Sequence, residues 1–231
     1  MKNVLITGTN RGIGLELARQ YLARGRKVFA TCRDPKSATD LLALQKQSEG
    51  KLEILALNLF SDDSINELSE ILSDTPIDLF INNAGMMGPR NLKFGKVNGG
   101  SWAEVFRANT IAPLLIVQTI VKNICLGKER KMIFVSSRVG SIEENSGGAM
   151  YAYRSSKTAL NQVVKSLSID LSDRGISSVA LHPGWVLTDM GGPNALISVD
   201  ESINGMMSVI SNTNIKNSGQ FLNYDGSEIP W

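Results

Sequence analysis

Short apolar runs alternate with longer amphipathic stretches from one end of this chain to the other. That alternation constrains the fold most, because it is the pattern of repeated βαβ units wound around a parallel sheet. The runs predict strands at 4–6, 27–32, 52–57, 79–82, 132–136, 178–182 and 220–224. Leu79-Phe80-Ile81 and Ile133-Phe134-Val135 are apolar at consecutive positions, as in strands covered on both faces. Helical patterns fall at about 12–24, 37–47, 63–72, 102–126, 151–173 and 199–211, and loop-like Gly, Pro, Asn and Ser gather at 88–100 and 140–148. With 231 residues, 42% of them hydrophobic, and no linker or repeat, the chain reads as one domain over 1–231. The expected fold class is α/β: a doubly wound, seven-stranded, mostly parallel sheet with helices on both faces.

Composition removes several function classes. Lys and Arg number 24 against 22 Asp and Glu, with no long basic block, so the charge balance points to neither nucleic acid nor an anionic membrane. The apolar run 111–121 is interrupted by Pro113, Gln118 and Thr119 and falls short of a membrane span. Cys32 and Cys125 form no C-x-x-C pair, which argues against a disulfide framework or a zinc site and for a reducing cytoplasm. His182 is the only histidine, so a histidine-rich metal centre is excluded and no metal is expected. It reads best as a strand-end residue. The opening Met1-Lys2-Asn3-Val4-Leu5-Ile6 runs directly into a glycine turn, where a signal peptide would find no room.

That turn, Thr7-Gly8-Thr9-Asn10-Arg11-Gly12-Ile13-Gly14, lies between the first strand and the first helix. Its glycines let backbone approach a diphosphate at the positive helix N-terminus, although the spacing Gly-x-x-x-Gly-x-Gly departs from Gly-x-Gly-x-x-Gly. The second strand ends Thr31-Cys32-Arg33, where an arginine offers a fork of donors to a ribose 2′-phosphate and an acidic residue would accept from a free 2′-hydroxyl. Arg33, with Arg11 as a second cation, favours NADPH over NADH; Asp34 would oppose this if it turned inward. Tyr153 and Lys157 stand four residues apart, on one helix face. A phenol normally ionises near pH 10, and a fixed ammonium beside it is expected to lower that value and make the ring a usable acid.

Together these features resemble the classical short-chain dehydrogenase/reductase family over nearly the whole chain. Asn82-Asn83-Ala84-Gly85 is similar to the family's Asn-Asn-Ala-Gly element, which implies cofactor-lining roles for Asn83, Ala84 and Gly85. Asn109, in Phe106-Arg107-Ala108-Asn109-Thr110, matches the asparagine that implies a main-chain kink and a water-linked proton path to Lys157. Ser136-Ser137-Arg138-Val139-Gly140 resembles the segment whose second serine is catalytic, so Ser137 is chosen over Ser136. Pro183-Gly184-Trp185-Val186-Leu187-Thr188 resembles the loop that holds the nicotinamide carboxamide, which brings in Pro183, Gly184, Val186 and Thr188. Asn58, before Leu59, stands where the family usually carries an aspartate beside the adenine. The end of the chain, 221–226 and Pro230-Trp231, is similar to small sniffer-type carbonyl reductases and to C-factor signalling proteins.

The resemblance implies a Rossmann-type oxidoreductase that uses NADP(H) to reduce a small apolar ketone or aldehyde. Tyr153 would donate the proton, Ser137 hydrogen-bond the carbonyl oxygen, Lys157 hold the ribose and Asn109 pass protons. Met86, Met87, Met150, Tyr151, Trp185 and Met190 are the expected substrate contacts, and 188–193 a short lid over an open site. The family's dimers pack the Asn109 and Tyr153 helices together, which the runs 111–115 and 160–167 would permit, although burial within one subunit explains them too. A dinucleotide-binding sensor with little turnover is the competing reading.

Overall fold

The computed structural model of the chain describes residues 1–89 and 94–231. Strands β1 (Asn3–Thr7), β2 (Lys27–Cys32), β3 (Leu52–Ala56), β4 (Leu79–Asn82), β5 (Lys131–Val135), β6 (Ser177–His182) and β7 (Phe221–Asn223) form one sheet. Their order is β3-β2-β1-β4-β5-β6-β7, and every neighbouring pair runs parallel. The one antiparallel element beside it is a bridge from Leu222 to Glu228 at the β7 edge, among the described residues.

The consecutive apolar positions are spent on both faces, as β geometry dictates. Val4, Ile6, Ile81 and Ile133 join the core under α1 (Gly12–Ala23), α2 (Thr39–Gln47) and α7 (Val199–Asn212). Leu5, Phe80, Met132 and Phe134 join the core under α3 (Asp62–Leu72), α5 (Ala112–Leu126) and α6 (Tyr151–Asp170). Phe80 and Phe134 meet edge to face at 6.0 Å in the second layer.

The stretch expected as one helix over 102–126 is α4 (Gly99–Phe106), a π-helical turn (Arg107–Ile111) and α5 in continuous succession. It is 28 residues long, and an 18-residue window within it has a mean hydropathy of 1.4, so by length and composition alone the whole succession is long and apolar enough to cross a membrane, which the run 111–121 by itself is not. Here Ala112, Ile116, Val117, Ile120 and Ile124 are buried against the sheet, as in a core helix. The run 160–167 is likewise spent within the chain, with Leu160, Val164 and Leu167 in the core, whereas Ile111 stays 45% exposed.

All the loops singled out in the sequence leave the carboxyl ends of parallel strands. The strand order reverses between β1 and β4, and it is there, at the switch point, that open α/β sheets form their ligand crevice. The glycine turn and Asn83-Ala84-Gly85 face each other across it.

Candidate active site

The glycine turn is shaped by close approach. Gly8 has φ +69°, and a Cβ there would come within 2.8 Å of Ala84 Cα. One on Gly14 would overlap the Gly8 carbonyl and sit 2.5 Å from Asn83 Nδ2. Asn83 fastens the turn, donating from Nδ2 to the carbonyls of Thr7 (3.0 Å) and Gly8 (2.9 Å), while the Thr7 hydroxyl accepts from the amides of Asn83 and Ala84. No side chain caps α1, since Arg11 at its N-cap is extended and makes no capping bond. The first-turn N–H groups at Gly12, Ile13 and Gly14 are therefore left for an anion, and Asn10 and Arg11 stand exposed at the rim. This cradle fits a dinucleotide diphosphate.

Around it, Arg33 is exposed at the end of β2, and Arg11 pairs with Asp189 across the groove at 3.1 Å. Asp34 does not turn inward. Its carboxylate accepts from the Lys36 amide at 3.1 Å, and hydrogen bonds with Ser37 and Lys36 hold it below the usual carboxylate range. Asn58 Oδ1 already accepts from the Phe60 amide, leaving one lone pair for an adenine amino group, and the Leu59 carbonyl accepts from Arg107 Nε.

The proton-handling groups sit between β5 and α6. Lys157 is 4% exposed, and its Nζ donates to the Val135 carbonyl at 2.9 Å. Burial lowers its pKa from 10.5 to about 8. The amine lies 5.8 Å from the Tyr153 ring centre. Tyr153 differs from expectation: burial raises its pKa above 10, opposed by a hydrogen bond with Ser137. The expected lowering by the ammonium is not among the causes of the shift: burial penalises the phenolate, and it penalises the charge on Lys157 as well. The phenol therefore keeps its proton at neutral pH, which is the form an acid needs.

Ser136 and Ser137 separate cleanly. Ser136 is buried with Oγ committed to Asn161 Oδ1 at 2.6 Å, and Ser137 is the serine beside the phenol. The short 3-10 turn Arg138–Gly140 that follows docks on α6, where a Cβ on Gly140 would come within 2.8 Å of Lys157 Cβ and the Thr158 hydroxyl donates to the Gly140 carbonyl.

Asn109 is fully buried inside the π-helical turn. Its Oδ1 accepts from the Met86 amide and its Nδ2 donates to the Met86 carbonyl, both at 2.8 Å, so the amide serves as a strand-like partner for the loop after β4. Nδ2 also donates to Ser156 Oγ at 3.0 Å. Pro113, four residues on, has no N–H to give the Asn109 carbonyl its α-helical bond. A π turn at this position is a common device where a helix serves a site.

Of the expected substrate contacts, Met86, Met87 and Met150 are half-buried, whereas Tyr151, Trp185 and Met190 are exposed at the mouth. The loop after β6 begins with buried Pro183 and with Gly184, whose Cβ would strike Ile197 Cδ1, and Val186 is buried behind it. Thr188 lies against the glycine turn, its Cγ2 3.7 Å from where a Gly12 Cβ would be, and its hydroxyl accepts from the Gly191 amide. The lid is more structured than its brevity suggested. Trp185 Nε1 donates to the Gly191 carbonyl at 2.8 Å, and Leu187, Leu196 and Ile197 bond across its base.

Two features escaped the sequence reading. Gly148, Ala149 and Met150 have φ of +60°, +53° and +48°, a left-handed turn directly before α6 that costs about 1–2 kcal/mol at each non-glycine residue. Only the Gly-Gly pair at 147–148 hints at it. Ile142, Glu143 and Ser141 bond to the Trp231 carbonyl, so the start of the 140–148 loop is pinned by Trp231, itself stacked on Phe221. His182 is the final residue of β6, driven to a pKa of about 4 by burial and by Arg138, and it is neutral. No group of metal-ligating side chains occurs among the described residues.

This combination of a wholly parallel sheet, a glycine cradle at its switch point and a Ser-Tyr-Lys cluster beside it defines a nucleotide-dependent oxidoreductase site. The family profile described as "short chain dehydrogenase" matches residues 2–196, and the chain belongs to that family. It is 43% identical to the C-signal protein of Myxococcus xanthus over 156 residues, covering 68% of this chain and 93% of that one. Its fold superposes on carbonyl reductase Sniffer of D. melanogaster with a TM-score of 0.93 at 34% identity, each chain fully covered. It superposes on an NADPH-bound carbonyl reductase from chicken fatty liver with a TM-score of 0.92 at 37% identity, covering 100% of this chain and 99% of that one.

The two serines give opposite expected outcomes. Ser136→Ala should lower stability by about 1–3 kcal/mol by stranding buried Asn161 and spare turnover of the folded fraction. Ser137→Ala should leave stability nearly unchanged and cost about 10²–10³ in kcat. Urea unfolding and steady-state kinetics on both variants check this.

Proposed function

We propose that the protein is an NADPH-dependent reductase of small apolar ketones or aldehydes. The observation that carries this reading is the grouping of Ser137, Tyr153 and Lys157: a phenol that keeps its proton with Ser137 beside it, and a buried amine on the next turn of the same helix. The diphosphate would be held at Gly8, Gly12, Ile13 and Gly14, the nicotinamide ribose by Lys157, and the carboxamide by the 183–188 loop. When bound, the nicotinamide supplies a hydride to the carbonyl carbon. Tyr153 gives its phenolic proton to the oxygen as charge develops there, and Ser137 donates a hydrogen bond to the same atom. Reprotonation of the phenolate runs by way of Lys157 and water held at the Asn109 main-chain carbonyl, since the Asn109 amide is spent on Met86.

Preference for the phosphorylated cofactor rests on Arg33 and Arg11 at the ribose end and on an Asp34 that faces its own turn. Free Cys32 and Cys125 suit a reducing compartment such as the cytoplasm. The likeness to C-signal keeps a second reading in view, a dinucleotide-binding signalling protein with little turnover. A panel of carbonyl compounds followed by NADPH absorbance separates the two: the reductase consumes cofactor, and the sensor binds it and consumes none.

Within that assay, Tyr153→Phe should bind NADPH as the native chain does and lose turnover, and substantial activity in this variant refutes Tyr153 as the acid. Arg33→Ala should raise the KM for NADPH about tenfold, the loss of one charge-assisted phosphate contact, with the KM for NADH unchanged.

The pH dependence follows from the two shifts. With Lys157 titrating at about 8 and Tyr153 above 10, both groups are protonated below pH 8, and the amine loses its charge first as pH rises. The kcat/KM for NADPH, which reports groups of the free enzyme, should be level up to about pH 8 and fall above it. A decline only near pH 10 would assign the limb to the phenol.

A further inference from the structure

The left-handed turn at Gly148-Ala149-Met150 leads straight into the helix that carries Tyr153, and something must hold it there. The side chain of Arg154 reaches both sides of the junction. Its Nε donates to the Gly148 carbonyl at 3.0 Å, and its Nη1 donates to the Val139 carbonyl at 3.3 Å, inside the 3-10 turn that follows Ser137. Its main-chain amide donates to the Met150 carbonyl at 2.9 Å, and Asn145 Oδ1 accepts from the Gly148 amide at the far end of the turn. The planar fork of a guanidinium can serve two carbonyls set at fixed angles, which an ammonium on a flexible stem does less well. We propose that Arg154 is a positioning residue that clamps the left-handed turn 148–150 to the serine-bearing turn 138–140 and so sets the spacing between Ser137 and Tyr153.

The remaining ties between these segments lie further along α6. They are the Thr158 hydroxyl on the Gly140 carbonyl and the close approach of Gly140 to Lys157. Arg154 alone links 138–140 to the segment that starts the helix, among the hydrogen bonds of the described residues. Without it the 148–150 turn can relax toward negative φ, and relaxation there rotates the first turn of α6, where Tyr153 sits.

The test uses the full chain as Arg154→Ala, Ala149→Gly and the double variant, with Arg154→Lys as a milder change. Glycine at 149 adopts positive φ without cost, so it should repair a defect that arises from the turn and not one that arises from lost charge. Hydrogen exchange over 145–151 should quicken in Arg154→Ala and return toward native rates in the double variant, with the sheet unaffected. The kinetic arm rests on the reductase reading: kcat should fall by about 10- to 100-fold, the scale of a misplaced reacting group, with NADPH affinity within about twofold of native, since no group of the phosphate cradle has moved. The double variant should regain most of that loss, and Arg154→Lys should fall between. Native exchange rates in Arg154→Ala, a kcat loss that Ala149→Gly does not relieve, or an equal loss of NADPH affinity would each overturn the proposal. A native chain that consumes no NADPH would sink the reductase reading, while the exchange rates still decide the clamp.

Discussion

The hydrogen bond from the Lys157 amine to the Val135 carbonyl is the contact on which the rest of the site depends. It places a titratable amine in a buried position, at the joint between a central strand end and the helix packed over it. A buried ammonium is expensive unless its donors are met, and the amine responds by titrating near 8. The surroundings are built to admit it. Gly85 and Gly140 leave the space, the first with only 3.6 Å from its missing Cβ to Nζ, the second with backbone drawn against the lysine's own Cβ. A Cβ at Gly85 would press on Asn109 Oδ1 at 3.1 Å, and one at Gly140 would push the serine turn off the helix.

A second layer of fastening surrounds that contact. Asn83 locks the loop after β4 to the glycine turn, and Asn109 locks the next residues of the same loop to the π-helical segment. Both amides supply partners to loop backbone that no sheet or helix serves: half-buried Asn83 donates twice from Nδ2, and fully buried Asn109 is bonded through both its oxygen and its nitrogen. The cofactor cradle and the proton-handling cluster therefore share one loop, 83–86.

The opposite wall is held differently. The lid folds on itself through Trp185 and the bridge from Val186 to Ile197, and the 141–143 loop leans on the last residue of the chain. Apolar side chains stand exposed between these two loops, among them Ile142 at 70% and Leu196 at 79%.

The sequence by itself determined the layered α/β class, all seven strands within a residue or two, the glycine cradle and the Tyr153–Lys157 pair, because each is written in local periodicity or in residues whose spacing is local. The resemblance favoured Ser137 over Ser136, and the fold commits the Ser136 hydroxyl to Asn161. Tertiary structure alone decided the rest. The phenol's raised pKa comes from its burial in the folded chain. The resemblance implied a kink at Asn109, but the partner that its side chain takes there, a loop 23 residues away, is one that helix periodicity does not register. The role of Arg154, hidden inside the motif as a spacer, comes from two carbonyls that only folding brings within reach of one guanidinium. Burial and long-range bonding set these features, and neither has a local signature for a single sequence to display.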